Sequence, residues 1–102
     1  MWIVKPPTIR EWMRMHPGAR SSLTRWLELT AHAQWRRFED IREEFRSCDE
    51  VRVSSGRRVA VFNIGGNNYR LICAVHYNIG RVFVLRFMTH GQYSDGRWKD
   101  EL

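Results

Sequence analysis

The chain has 102 residues, 43% of them hydrophobic and 27% charged, with a formal net charge of +6. That length gives one core and a single domain over residues 1–102, and no stretch reaches the roughly 18 apolar residues of a membrane span. The two cysteines, Cys48 and Cys73, lack metal-ligand spacing, so free thiols in a reducing, cytoplasmic setting are expected, with no disulfide framework, metal or cofactor.

In chain order, Trp2-Ile3-Val4 reads as a short edge or inserted strand ahead of the Pro6-Pro7 break. Ile9, Trp12 and Met13 recur at helical spacing from Pro7 to about His16, and Pro17-Gly18 stops that helix. A second helix is predicted from Ala19 to about Trp35, with Leu23, Trp26, Leu27, Thr30 and Ala31 on one stripe. Phe38, Ile41 and Phe45 mark a third, with Glu39 and Asp40 near its N-terminus, where the helix dipole favours negative charge. Its acids alternate with Arg42 and Arg46 as on a solvated face, and His16 and His32 have no partner at metal spacing. Val51-Arg52-Val53 alternates weakly, Ser54-Ser55-Gly56 turns, and Arg57 to Ile64 is a strand ending at Gly65-Gly66. With no helix after it, that glycine pair is a structural turn rather than a phosphate loop.

The next stretch is a hairpin. Asn68 to Tyr77 and Arg81 to Met88 are rich in β-branched, aromatic and aliphatic residues, and Asn78-Ile79-Gly80 supplies a loop with Gly80 at the left-handed position. Pairing Tyr77 with Arg81 sets Arg70 opposite Met88, Ile72 opposite Arg86, Ala74 opposite Val84 and Asn68 opposite His90. One face then carries Arg70, Ile72, Ala74, His76, Val82, Val84, Arg86, Met88 and His90, and the other a core row of Tyr69, Leu71, Cys73, Val75, Phe83, Leu85 and Phe87. The expected fold is α+β: a twisted, mainly antiparallel sheet of four to five strands, the N-terminal helices on one face and the other face open.

The charge lies unevenly along the chain. Residues 1–50 hold nine Lys or Arg against eight Asp or Glu, whereas residues 51–102 hold eight against three, and fifteen of the seventeen basic residues are arginine. Arginine's planar fork suits phosphate, so the basic half points to a polyanion, nucleic acid being the commonest; a solvated face without a partner is the alternative.

NIGGNNYRLICAVHY followed by RVFVLRFMTHGQY closely resembles the HigB toxins of bacterial toxin–antitoxin systems, within the wider RelE-like fold of messenger-RNA endoribonucleases. The shared pattern is F-N-I/V-G-G-N-x-Y/F-R-L, a hydrophobic hairpin, then T-H-x-x-Y. An upstream W-x-x-F-x-D-I-R match falls on Trp35, Phe38, Asp40, Ile41 and Arg42. Where the family pattern continues with Asp after the tyrosine, this chain has Ser94 and then Asp95.

The resemblance implies a toxin that cuts messenger RNA on translating ribosomes and is held inactive by a cognate antitoxin, HigA-like and DNA-binding, with no membrane partner. Metal-independent cleavage needs a base for the ribose 2′-OH, cationic stabilisation of the phosphorane and an acid for the departing oxygen. By the resemblance, Arg70 is the phosphorane clamp and His90 the general acid or acid/base. Tyr93 stacks on or orients a base or helps accept the proton, with packing over the sheet end as its structural alternative. Arg86 assists at the floor beside Arg70, Arg57 and Arg58 lie at the rim, and Asn68 and His76 belong to the RNA-binding set, His76 with a structural role as its alternative. Two other functions remain open at this stage: an RNA- or ribosome-binding module that does not cut, and a structural partner in an antitoxin repressor complex.

Overall fold

The computed structural model describes residues 1–102. Its elements are β1 (Trp2–Val4), α1 (Pro6–Met15), α2 (Arg20–His32), α3 (Phe38–Glu44), β2 (Asp49–Arg52), β3 (Arg58–Ile64), β4 (Tyr69–His76), β5 (Arg81–Thr89) and α4 (His90–Asp95). Short 3-10 segments lie at Pro17–Ala19, Tyr77–Ile79 and Arg97–Glu101. The fold is α+β, as expected: five strands in the order β1-β5-β4-β3-β2, antiparallel throughout except for β1, an edge strand that runs parallel to β5.

The helices cover one face of this sheet. Ile9 of α1, Leu23 and Trp26 of α2 and Ile41 of α3 are fully buried against Ala60, Phe62 and Ile64 of β3 and Leu71 and Cys73 of β4. Phe62 is the hub. The Trp26 ring meets it edge-on at 5.4 Å, Phe45 edge-on at 5.2 Å, and Trp35 stacks on it at 6.2 Å. Reaching that ring costs α2 its last predicted turn: the helix ends at His32, Ala33 is extended, and Trp35 enters the core from the loop. Cys48 and Cys73 are both free and both buried. Burial pushes the Cys48 thiol up to about 12 and the Cys73 thiol well above its ordinary range.

Gly80 is left-handed at φ 65°, as the loop requires, but the hairpin register is not uniform. Arg70 pairs with Met88 and Ile72 with Arg86 as predicted; beyond them Cys73 pairs with Val84, Ala74 with Phe83 and His76 with Arg81. Leu85 is thus an extra residue on β5, a β-bulge. The predicted Ala74–Val84 and Tyr77–Arg81 pairs are therefore wrong, and Val82 and Val84 pack under the helices rather than on the Arg70 face. The cause is the run Val82-Phe83-Val84-Leu85, apolar throughout, which fixes no parity by itself.

The opposite face is not open along its whole length. Val53, Val59, Val61, Ile72 and Met88 form a second small core, closed by Trp98, which is 4% exposed and arrives on the C-terminal 3-10 segment. Ser54 ties that segment down: its N–H donates to Lys99 O at 3.1 Å and its hydroxyl to Asp100 Oδ1 at 2.7 Å. No helix is long and apolar enough to cross a membrane.

Candidate functional site

Beside the second core, the end of the hairpin buries a charge. Arg70 leaves β4 on the face away from the helices and is only 7% exposed. Its Nη1 donates to the backbone oxygens of Asn67 at 3.1 Å and Tyr69 at 3.0 Å, and its Nη2 to Asn67 Oδ1 at 2.5 Å. Every one of these acceptors is neutral. A buried cation held by neutral oxygens keeps its full charge for an incoming anion, and that charge must be satisfied by hydrogen bonds because no carboxylate pairs with it.

The other side chains come from α4. Thr89 opens this helix with a reciprocal cap: its Oγ1 accepts from Gln92 N at 3.2 Å, and Gln92 Oε1 accepts from Thr89 N at 2.9 Å. His90 is therefore the first residue of a helix and not a continuation of β5, although its N–H still donates to Asn68 O at 2.9 Å. His90 and Tyr93, three apart, share a helix face, and that face meets Arg70. Arg70 Nη2 lies 3.2 Å from His90 Nδ1, and the guanidinium carbon sits 5.4 Å from the centre of the Tyr93 ring. Because a guanidinium can only donate, Nδ1 is the acceptor in this contact. His90 itself is exposed, so the ring faces solvent beside a buried cation.

Tyr93 is half-buried and its ring stacks on Trp98 at 5.3 Å, with Trp98 Nε1 donating to Tyr93 O at 3.1 Å. Burial raises the Tyr93 phenol above its ordinary value, with nearby Asp49 adding to the rise and Arg70 opposing it. The raised value keeps the proton on the phenol oxygen, and the stacked ring is the part of Tyr93 that meets Arg70.

The remaining predicted residues separate. Arg86 is on the Arg70 face, where Ile72 opposes it, but Glu101 from the C-terminal segment lies 3.5 Å from its Nε. The two line a cleft with Met88, Gln92 and Trp98. Asn68 is exposed at the turn and contributes its backbone oxygen. Arg57 and Arg58 do not join the site: Arg57 is six residues from Asn63, the partner of Arg70, which is roughly 20 Å along a strand. Arg58 shares the helix-side parity of Ala60 and Phe62 and pairs with Glu50 at 3.6 Å, so the rim placement is corrected for it. His76 is exposed at the far end of β4, away from Arg70, with its ring against Phe83 at 4.9 Å. Asp95 is occupied by Arg97 at 2.9 Å.

Sequence reasoning missed Asn67 and Trp98, which hold Arg70 and Tyr93. The Thr89-x-x-Gln92 spacing was the one legible sign that a helix starts at His90; nothing local marks Trp98, whose partners are on other strands. No three His, Cys, Asp or Glu side chains cluster closely enough to hold a metal ion.

A comparison with curated proteins finds no match. A family model described as HigB toxin, the RelE-like toxic component of a toxin–antitoxin system, matches residues 19–96. That span contains Asn67, Arg70, His90 and Tyr93 and stops short of Trp98. With more than half its length matched, the chain belongs to the HigB toxin family, the RelE-like toxic components of toxin–antitoxin systems.

Proposed function

We propose that this toxin is an endoribonuclease that cleaves messenger RNA by attack of a ribose 2′-OH on the adjacent phosphate, with Arg70 and His90 as its reacting groups. The observation that carries this reading is the buried Arg70 guanidinium, paired with no carboxylate, 3.2 Å from the imidazole of an exposed histidine. A phosphate approaching Arg70 competes for the Nη2 donor and frees His90 Nδ1. That nitrogen takes the 2′-OH proton as the 2′-oxygen bonds to phosphorus; Arg70 stabilises the charge on the phosphorane; and the imidazolium returns a proton to the 5′-oxygen as the P–O5′ bond breaks. The products are a 2′,3′-cyclic phosphate and a 5′-hydroxyl. Tyr93 offers its ring to a base, and Arg86 and Asn68 contact the flanking backbone.

The same reading makes residues 1–102 one functional domain acting in the cytoplasm on messages carried by ribosomes. A cognate DNA-binding antitoxin of the HigA kind neutralises it by covering the basic face. The test is 5′-end mapping of a message in a reconstituted translation mixture, with the parent protein and its Arg70→Ala and His90→Gln forms. Discrete ribosome-dependent cuts that vanish in both variants are expected. A message that stays whole while protein and RNA still associate would replace the enzyme with a binding module.

A further inference from the structure

We infer that Asn67 is a positioning residue for Arg70, a neutral anchor that aims the guanidinium without spending its charge; this rests on the endoribonuclease reading. The Gly65-Gly66 turn makes the anchor possible. Both glycines are left-handed, at φ 63° and 68°, a conformation that side-chain-bearing residues rarely adopt. The chain therefore reverses within two residues and returns Asn67 three positions ahead of Arg70. From there Asn67 offers two acceptors to one guanidinium, its backbone oxygen to Nη1 and its Oδ1 to Nη2.

Arg70 has five N–H bonds, and the arrangement assigns them. Both on Nη1 are taken, by Asn67 O and Tyr69 O; one on Nη2 goes to Asn67 Oδ1 and the other to His90 Nδ1. Asn67 thus spans the Nη1–Nη2 end. The edge left for a bidentate phosphate is formed by Nε and the Nη2 hydrogen now shared with His90, so the phosphate is delivered beside the imidazole. The choice of amide is chemically specific. An aspartate at this position has the same shape and offers the same acceptor, but it would pair with Arg70 as an ion and weaken its pull on phosphate.

Two substitutions separate aim from charge. Asn67→Ala removes the side-chain anchor and leaves the charge, so kcat for message cleavage should fall about tenfold or more while KM changes by less than about threefold. Asn67→Asp keeps the geometry and neutralises the cation, so KM should rise about tenfold, and the salt dependence of binding to single-stranded RNA should lose a slope of about 0.7, one phosphate contact. Asn67 is exposed and Asn67→Asp is isosteric, so a changed salt slope in a variant that melts at the parent's temperature is not an unfolding effect. If both variants stay within about twofold of the parent in kcat and KM while Arg70→Ala is inactive, Asn67 is only a loop residue and the inference fails. Should Arg70→Ala itself still cut, it is the endoribonuclease reading that fails instead.

Discussion

The two faces of the sheet put the same strands to different uses. On the helix side, 15 buried residues form a core with no charged member, centred on Phe62. On the other side five buried residues form a thinner core under Trp98, and next to it a buried arginine is held by uncharged oxygens. One face concentrates apolar burial, and the other divides its area between burial and a cation that no carboxylate neutralises. The lesson is that the site needs the helix-side core as its wall: neutral oxygens satisfy the N–H groups of Arg70, and the larger core offsets the remaining cost of burying it without a carboxylate.

The largest expected effect breaks the comparison at its hubs. Phe62→Ala should cost about 3–5 kcal/mol, because the cavity it leaves is surrounded by Trp26, Trp35 and Phe45. Trp98→Ala, in the thinner core, should cost nearer 2–3 kcal/mol and also lower cleavage by releasing the Tyr93 ring. Urea unfolding combined with the cleavage assay reads both. A larger loss for Trp98→Ala than for Phe62→Ala would reverse the ranking of the faces.

A smaller effect sharpens it through pH. The raised thiols belong to the helix side, where Cys48 reaches about 12 from an ordinary 9.0 through burial first and the Asp49 carboxylate second. An acid whose folded-state value is raised leaves stability intact below its unfolded value and withdraws it as pH climbs toward the folded one. Urea midpoints should therefore hold level up to about pH 9 and decline between there and about 12. Cys48→Ala should soften that decline; an unchanged slope would mean that other groups, such as Tyr77, also raised to about 12 by burial, carry it.

Much of this was legible in the sequence because it is local. Helical spacing located α1 to α3, Gly80 announced its turn, and the alternation of Arg70 and Ile72 with Tyr69, Leu71 and Cys73 placed Arg70 on the face away from the helices. What escaped reading depends on distant partners. The bulge at Leu85 is a choice among apolar residues that only the two cores can make. Trp35 leaves α2 because Phe62 and Phe45 await its ring. Trp98 reads as a tail residue until Val59, Val61 and Ile72 are known to lack a cover. Arg86 reads as a free cation because Glu101, fifteen residues on, meets it only in the folded chain.

That last pair carries the smallest expected effect on stability and the most direct probe of the site face. Arg86 and Glu101 are both substantially exposed and 3.5 Å apart, so Glu101→Gln should leave stability within about 0.5 kcal/mol of the parent. Its consequence for RNA should be easier to see. The Glu101 carboxylate lies at Arg86 Nε, and replacing it with a neutral amide would free that side of the guanidinium for a phosphate while preserving the side chain's size. Affinity for a short single-stranded RNA, measured by fluorescence anisotropy, should rise about two- to fivefold at low salt, and the gain should shrink as salt screens the interaction. If affinity is unchanged at every salt concentration, the RNA does not pass over Arg86, and its path is confined to the Asn67, Arg70 and His90 end of the face.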